Sequence, residues 1–266
     1  MLPNELIIPP ALRERLDNLP YTVETIGFSG STVLTFDNMV LKIETLTPAA
    51  VQMVEMMRWL SGKLPSPQVL HHEIYEDKSV LLMTRVPGQM ACAPYYKEHS
   101  DEMVVLLAEG LRMLWSVDIS DCPHDRGLDK ELADARRRVE AGLVTTEGAQ
   151  PDTYGPDGFA SPVELLSWLE NNRPVYDPVL SHGDYCLPNV FLQDGRVSGM
   201  IDLGDAGIAD RWRDIALCWR SLRRNFDGTY DGKAYPDFDP DLLLHELHIP
   251  IDREKLRYYI LLDELF

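Results

Sequence analysis

Short β-branched runs come first along this chain, and helical periodicity comes later. Residues 23–26, 32–36 and 39–43 are apolar runs separated by residues 27–31 and by Asp37-Asn38, a pattern that predicts an antiparallel meander. Thr47 as N-cap and Pro48 at the first helical position then open a helix running to about Ser61, with Gly62 beyond its end. Residues 69–75 and 80–84 read as two further strands. Arg85-Val86-Pro87-Gly88 reads as a linker, since Pro and Gly together punctuate structure.

From Ser100 the pattern turns helical. Met103, Leu107, Leu111 and Leu114 recur on one face of a helix. Ser161-Pro162-Val163-Glu164 combines a capping box with Pro at the first helical position. Residues 147–160 between these helices, rich in Gly, Pro and Asp, read as a loop. Val190-Phe191-Leu192, the pair Asp194-Gly195 and residues 197–201 predict a hairpin closed by a type I′ turn. The expected class is α+β, with a small antiparallel sheet and its helix in the N-terminal part and a larger, mainly helical C-terminal part.

Composition narrows the partners. The chain has 266 residues, enough for a large core in one or two domains, and 25 basic against 43 acidic residues give a formal charge of −18. A surface this acidic repels nucleic acid and anionic membranes and attracts polycationic ligands. Cys92, Cys122, Cys186 and Cys218 form no Cys-x-x-Cys pair and have no His at metal-ligand spacing, so neither a zinc site nor a disulfide framework is signalled. With no basic n-region at its start and no apolar stretch approaching a membrane span, the expectation is a reduced, cytoplasmic protein.

The candidate chemistry gathers in Ser181-His182-Gly183-Asp184-Tyr185-Cys186-Leu187-Pro188-Asn189 and in Met200-Ile201-Asp202-Leu203-Gly204. Phosphoryl transfer in kinase-like enzymes needs one carboxylate at the attacking hydroxyl, and an amide with a second carboxylate to hold Mg²⁺ on the phosphates. Asp184, Asn189 and Asp202 offer those groups, and the hairpin between them would bring Asp202 back toward the loop that carries the other two. Gly27-Phe28-Ser29-Gly30-Ser31 adds small residues between two strands, where backbone N–H groups and hydroxyls can approach phosphates.

His182-Gly183-Asp184, four residues, then Asn189, with Ile201-Asp202-Leu203-Gly204, resembles the aminoglycoside phosphotransferases, which share the protein-kinase fold. Residues 207–216 and the ending Tyr258-Tyr259-Ile260-Leu261-Leu262-Asp263-Glu264-Leu265-Phe266 draw the resemblance closest to the 3′-phosphotransferases of that family, over nearly the whole chain. It implies a bilobal architecture: a nucleotide-binding lobe at residues 1–86 and a catalytic, aminoglycoside-binding lobe at residues 87–266. It implies transfer of the γ-phosphoryl group of ATP or GTP, with Mg²⁺, to a drug 3′-hydroxyl, and antibiotic resistance as the outcome.

By the same resemblance Asp184 is the catalytic carboxylate and Asn189 and Asp202 are the metal ligands. Ser29, Gly30, Ser31, Lys42, Thr84 and Val86 bind nucleotide, Lys42 at the α- and β-phosphates and residues 83–86 at the adenine edge. Asp263, Glu264 and the Phe266 carboxylate line the substrate pocket, with Asp152 and Asp157 of the Gly/Pro loop beside them, because carboxylates hold ammonium groups best. Asp210 is expected as a helix N-cap that holds the catalytic loop from behind, and His182 as a brace. No nucleic acid or membrane partner is expected, and the assembly expected is a monomer or weak dimer.

Three positions depart from the family pattern. Met53 stands where relatives carry the glutamate that pairs with the lysine, Asp205 where they often carry Arg, and Leu187 where some carry a substrate-facing carboxylate. Two other readings stay open at this point: a small-metabolite kinase of the same fold, and a catalytically degenerate binder of cationic ligands.

Overall fold

The structure is a computed structural model that describes residues 2, 3, 5–24 and 31–266. In chain order the elements begin with α1 (Pro10–Leu16), β1 (Thr22–Glu24), β2 (Thr32–Thr35), β3 (Met39–Thr45), α2 (Pro48–Leu60), β4 (Val69–Tyr75), β5 (Lys78–Thr84) and β6 (Gln89–Met90). Next come α3 (Pro94–Glu98), α4 (Ser100–Trp115), α5 (Leu128–Glu140), α6 (Pro162–Asn171), β7 (Pro178–Ser181), β8 (Val190–Gln193) and β9 (Arg196–Met200). β10 (Gly207–Asp210), α7 (Arg211–Phe226), α8 (Leu242–Glu246) and α9 (Arg253–Asp263) complete the chain.

Two packed units result: Met1–Met90 with Asn189–Asp205, and Ala91–Pro188 with Ala206–Phe266. The sequence reading makes a single cut after residue 86, whereas the first unit runs on to Met90 and takes in a second segment. The segment Asn189–Asp205 packs with the first unit although it lies a hundred residues beyond it in sequence.

In the first unit the meander predicted from the β-branched runs forms the antiparallel sheet β1-β2-β3-β5-β4. Leu34, Leu41, Ile43, Val80 and Leu82 alternate onto one face and are buried with Leu12 and Leu16 of α1. Lys42 sits opposite Val33 on β2 and Leu81 on β5. The period of two therefore sends its side chain to the other face of the same strand. α2 starts where its cap predicts, with Thr47 Oγ1 accepting from Ala50 N at 3.1 Å. It buries Met53, Val54, Met56, Met57 and Leu60. The predicted hairpin is β8-β9, and positive φ at both Asp194 (50°) and Gly195 (68°) is the type I′ signature.

The second unit is helical apart from the antiparallel pair β7-β10. α4 buries Met103, Leu107, Leu111 and Leu114, the four positions its periodicity marks. α7 packs against α9 and β7, and α6 against α5 and α9. The capping box of α6 is modified: Ser161 Oγ accepts from Glu164 N, while Glu164 Oε2 reaches past the cap to Ala160 N at 2.7 Å. Among the described residues no helix is long and apolar enough to cross a membrane.

Candidate functional site

The first unit holds a cavity of about 520 Å³ whose lining includes Lys42 on β3, Met53 and Met57 on α2, Thr84 at the end of β5, Val86 beyond it, Phe191 on β8, and Asp202. Ser31 lines it as well. Ser29 and Gly30, assigned to the phosphates with Ser31, lie outside the described residues. Thr84 and Arg85 donate their N–H groups to Gln68 O (2.9 Å) and Asn38 O (3.0 Å), while Val86 N–H has no partner among the described residues. Gly199 on β9 is required by this wall: a Cβ there would lie 2.5 Å from Val86 Cγ1.

Lys42 extends into the cavity with its Nζ 3.5 Å from Glu44 Oε2, 3.9 Å from Asp202 Oδ1 and 3.8 Å from Met53 Sδ. Asp202 follows the hairpin in a positive-φ backbone (57°), a costly conformation for a residue with a side chain. The base of the hairpin is closed by Ile201 N donating to Asn189 O at 3.0 Å, so one short turn fixes both Asn189 and the backbone leading into Asp202. These two side chains offer a hard amide oxygen and a carboxylate. Among the described residues no three His, Cys, Asp or Glu gather at metal-ligand distance. Magnesium asks for no such cage, since it takes one or two carboxylates together with phosphate oxygens and water.

In the second unit β7 runs into the loop of residues 182–186. Gly183, at φ 84°, makes the turn that a side chain would resist. The backbone of this loop is held from α7, where Asp214 Oδ2 accepts from His182 N at 2.8 Å and Oδ1 from Gly183 N at 3.0 Å. Burial pushes the Asp214 carboxyl up, while the N–H groups of His182 and Gly183 and the charge of Arg213 pull it back down. His182 is fully buried and its Nδ1 accepts from Asp184 N at 3.3 Å, which assigns the ring proton to Nε2. Tyr185 is buried and donates to Leu107 O at 3.0 Å, anchoring the loop to α4. Asp184 between them is partly exposed.

Asp210 caps α7 through Trp212 N (3.0 Å), as expected, and none of its bonds among the described residues reaches the loop of residues 182–186. Its other oxygen accepts from Asp177 N at 3.3 Å and from Lys255 Nζ at 3.0 Å. Holding the loop falls to Asp214, one helical turn further on, because a helix repeats its face every 3.6 residues and the cap itself is committed to the helix start. Leu187, at the departure from the family pattern, is wholly buried with its N–H on Ser221 Oγ at 3.1 Å, so this position faces the core.

Further carboxylates lie in this same unit. The Cys186 thiol, whose Sγ is 4.0 Å from Leu217 O, is pushed well up by burial and then by the Asp184 carboxylate, with Arg220 opposing and Asp263 adding. Arg220 pairs with Asp263 at 2.5 Å. Glu264 accepts from Gln150 N at 3.0 Å and is raised by burial, against lowering by that bond and by Arg220. Gln150 in turn takes Arg223 on its Oε1, while its buried Nε2 has no partner. At the C-terminus Arg138 Nε donates to Leu265 O at 2.9 Å and a second nitrogen bonds Phe266 O, while the Phe266 ring is half-exposed.

The Gly/Pro loop contributes differently from expectation. Asp152 is engaged by Arg257 of α9 at 3.0 Å, and Asp157 is exposed with nothing among the described residues tying it to the other carboxylates. Gln150, Arg220, Cys186 and Asp214 have the closest ties to the site and carried no signal as single residues. The signal that could have found Asp214 is its spacing from Asp210, one turn along a capped helix.

Comparison with known proteins bears on this geometry. A family described as the phosphotransferase enzyme family matches residues 21–242. The chain is 38% identical to an aminoglycoside 3′-phosphotransferase of Enterococcus faecalis over 97% of this chain and 98% of that protein. A solved aminoglycoside-3′-phosphotransferase of type VIII superposes with a TM-score of 0.80 at 31% identity, covering 96% of this chain and 97% of that one. A more distant neighbour, 24% identical with a TM-score of 0.76 over 96% of this chain and 95% of its own, is an aminoglycoside phosphotransferase of Streptomyces rimosus in complex with ADP and streptomycin.

Proposed function

Because this chain belongs to the phosphotransferase enzyme family, we propose that it is an aminoglycoside phosphotransferase that moves the γ-phosphoryl group of a nucleotide onto the 3′-hydroxyl of its drug and thereby confers resistance. The observation that carries this reading is the Asp184 loop, held from α7 by Asp214, in one unit with the Arg220–Asp263 pair and with Glu264. That unit offers a partly exposed carboxylate together with further carboxylates suited to a polycation that presents hydroxyls.

In this mechanism the acceptor oxygen attacks the γ-phosphorus, the bond to the β,γ-bridging oxygen breaks, and nucleoside diphosphate leaves. Asp184 orients the hydroxyl and takes its proton, with Asp214 and His182 fixing the backbone that aims it. Glu264 and Asp263 receive ammonium groups, and Arg220 keeps the two acids from repelling each other when no drug is present. Lys42 neutralises phosphate charge in the cavity of the first unit, and Val86 N–H meets the base edge. Asn189 and Asp202 would hold the magnesium ion, whose contribution when bound is to neutralise charge on the phosphates. The nucleotide-binding and drug-binding roles thus divide between the two units.

The test is diphosphate release by purified protein with Mg²⁺-ATP or Mg²⁺-GTP and either kanamycin or tobramycin, which lacks a 3′-hydroxyl. Release with kanamycin alone is expected, and Asp184→Ala should lower it by about 10²- to 10⁴-fold while nucleotide affinity stays unchanged. Equal release with tobramycin would move the reaction to another hydroxyl, and undiminished turnover in Asp184→Ala would remove that residue from the chemistry.

A further inference from the structure

We infer that Glu44, a residue of the strand itself, is the carboxylate that positions Lys42, a duty that protein kinases give to a helix. Lys42 and Glu44 lie two residues apart on β3 and so project from the same face. Their side chains retain 14% and 19% exposure, and Nζ lies 3.5 Å from Glu44 Oε2. The side chain that α2 presents to this nitrogen is a thioether: Met53 is buried and its Sδ is 3.8 Å from Nζ. Glu55, two residues further along α2, is exposed.

A lysine on a four-carbon stem needs an anion to fix its ammonium group, and a thioether is too weak an acceptor to do so. Asp202 is the other acid in reach, at 3.9 Å, but its side chain is 58% exposed and it belongs to the metal-binding pair of the proposed mechanism. An interaction that open to water is screened, whereas Glu44 is mostly covered. Glu44 Oε1 is buried with no partner among the described residues, so the carboxylate has its full second oxygen available as the lysine shifts toward a phosphate.

Sequence separation gives this arrangement a distinct character. In protein kinases the lysine–glutamate pair joins a strand to a movable helix, and positioning of that helix switches the pair on and off. Here both partners ride on one strand that is bonded on both edges, to β2 and to β5. The pair therefore stays formed whatever α2 does, and Met53 is free to serve as apolar wall of the cavity.

This inference rests on the reading of the cavity as the nucleotide site, and the experiment separates the two. Dissociation constants for Mg²⁺-nucleotide are measured by titration calorimetry without acceptor, for wild type, Glu44→Gln, Met53→Glu and the double variant, with a thermal melt for each. Glu44→Gln should weaken nucleotide binding about tenfold, the scale of an ion pair partly screened by water, with its melting temperature nearly unchanged. Met53→Glu in the Glu44→Gln background should recover most of that loss, because it restores the carboxylate from the helix side; a merely structural role for Glu44 would not be rescued there. If wild type binds nucleotide and Glu44→Gln binds it equally well, the inference fails alone. If wild type binds no nucleotide, the reading of the cavity fails and takes the inference with it.

Discussion

At the scale of single residues, the most informative titration belongs to Glu264. Burial raises its carboxyl above the ordinary value of 4.5, so the folded, unliganded protein holds that proton more tightly than the unfolded chain. The sign follows: this group's contribution to stability is fully present below 4.5 and is lost as pH rises through the raised folded value. A bound ammonium group favours the ionised form, so drug binding releases the proton and affinity strengthens with pH over that same window. Calorimetry in buffers of different ionisation enthalpy should show proton release for wild type and a flat response for Glu264→Gln. Proton uptake in wild type would place the drug's cations elsewhere. The sequence reading assigns Asp263 and Glu264 to the substrate pocket by resemblance. What it could not show is that Arg220, 43 positions earlier, and the Gln150 N–H hold them.

At the scale of elements, what can be tested is the fit of β9 against the linker after β5. Gly199 stands where any Cβ would lie 2.5 Å from Val86 Cγ1, so Gly199→Ala must push Val86 or the hairpin aside. It is expected to cost about 1–3 kcal/mol in urea denaturation and to raise the nucleotide KM, and Val86→Ala in the same background should relieve both. No relief would mean that β9 moves rather than the linker. Most elements were legible before any coordinates, for local reasons. The meander follows from its β-branched runs, α2 and α6 from Thr47-Pro48 and Ser161-Pro162, and the hairpin from Asp194-Gly195. The helices α1, α3, α5, α8 and α9 escaped; in α5 eight of the 13 residues are charged and only Glu131, Leu132 and Ala135 are buried. The bracing of the catalytic loop was placed one turn too early, at Asp210. A cap is visible in sequence, whereas the partner of a buried N–H depends on how α7 packs on β7.

At the scale of the whole molecule, the charge of −18 acts on the two substrates with opposite sign. The motif points to phosphate chemistry without reference to this charge, because Asp184, Asn189 and Asp202 are close in sequence. The drug side was only partly legible, since its carboxylates come from distant segments and their state is set by Arg220, Gln150 and burial. Net charge supplies what spacing could not. A polycationic drug is drawn toward an acidic surface and an anionic nucleotide is repelled by it, and both effects weaken as the screening length falls from about 10 Å at 0.1 M salt toward about 3 Å at 1 M. Raising ionic strength should therefore increase the drug KM several-fold while leaving the nucleotide KM unchanged or lower, with the change for the drug lying chiefly in its association rate. Steady-state kinetics over a salt series, with one substrate saturating while the other is varied, reads the two responses separately. If both constants rise together, salt is acting on the fold rather than on the approach of a cation, and the acidic surface has no part in selecting the drug.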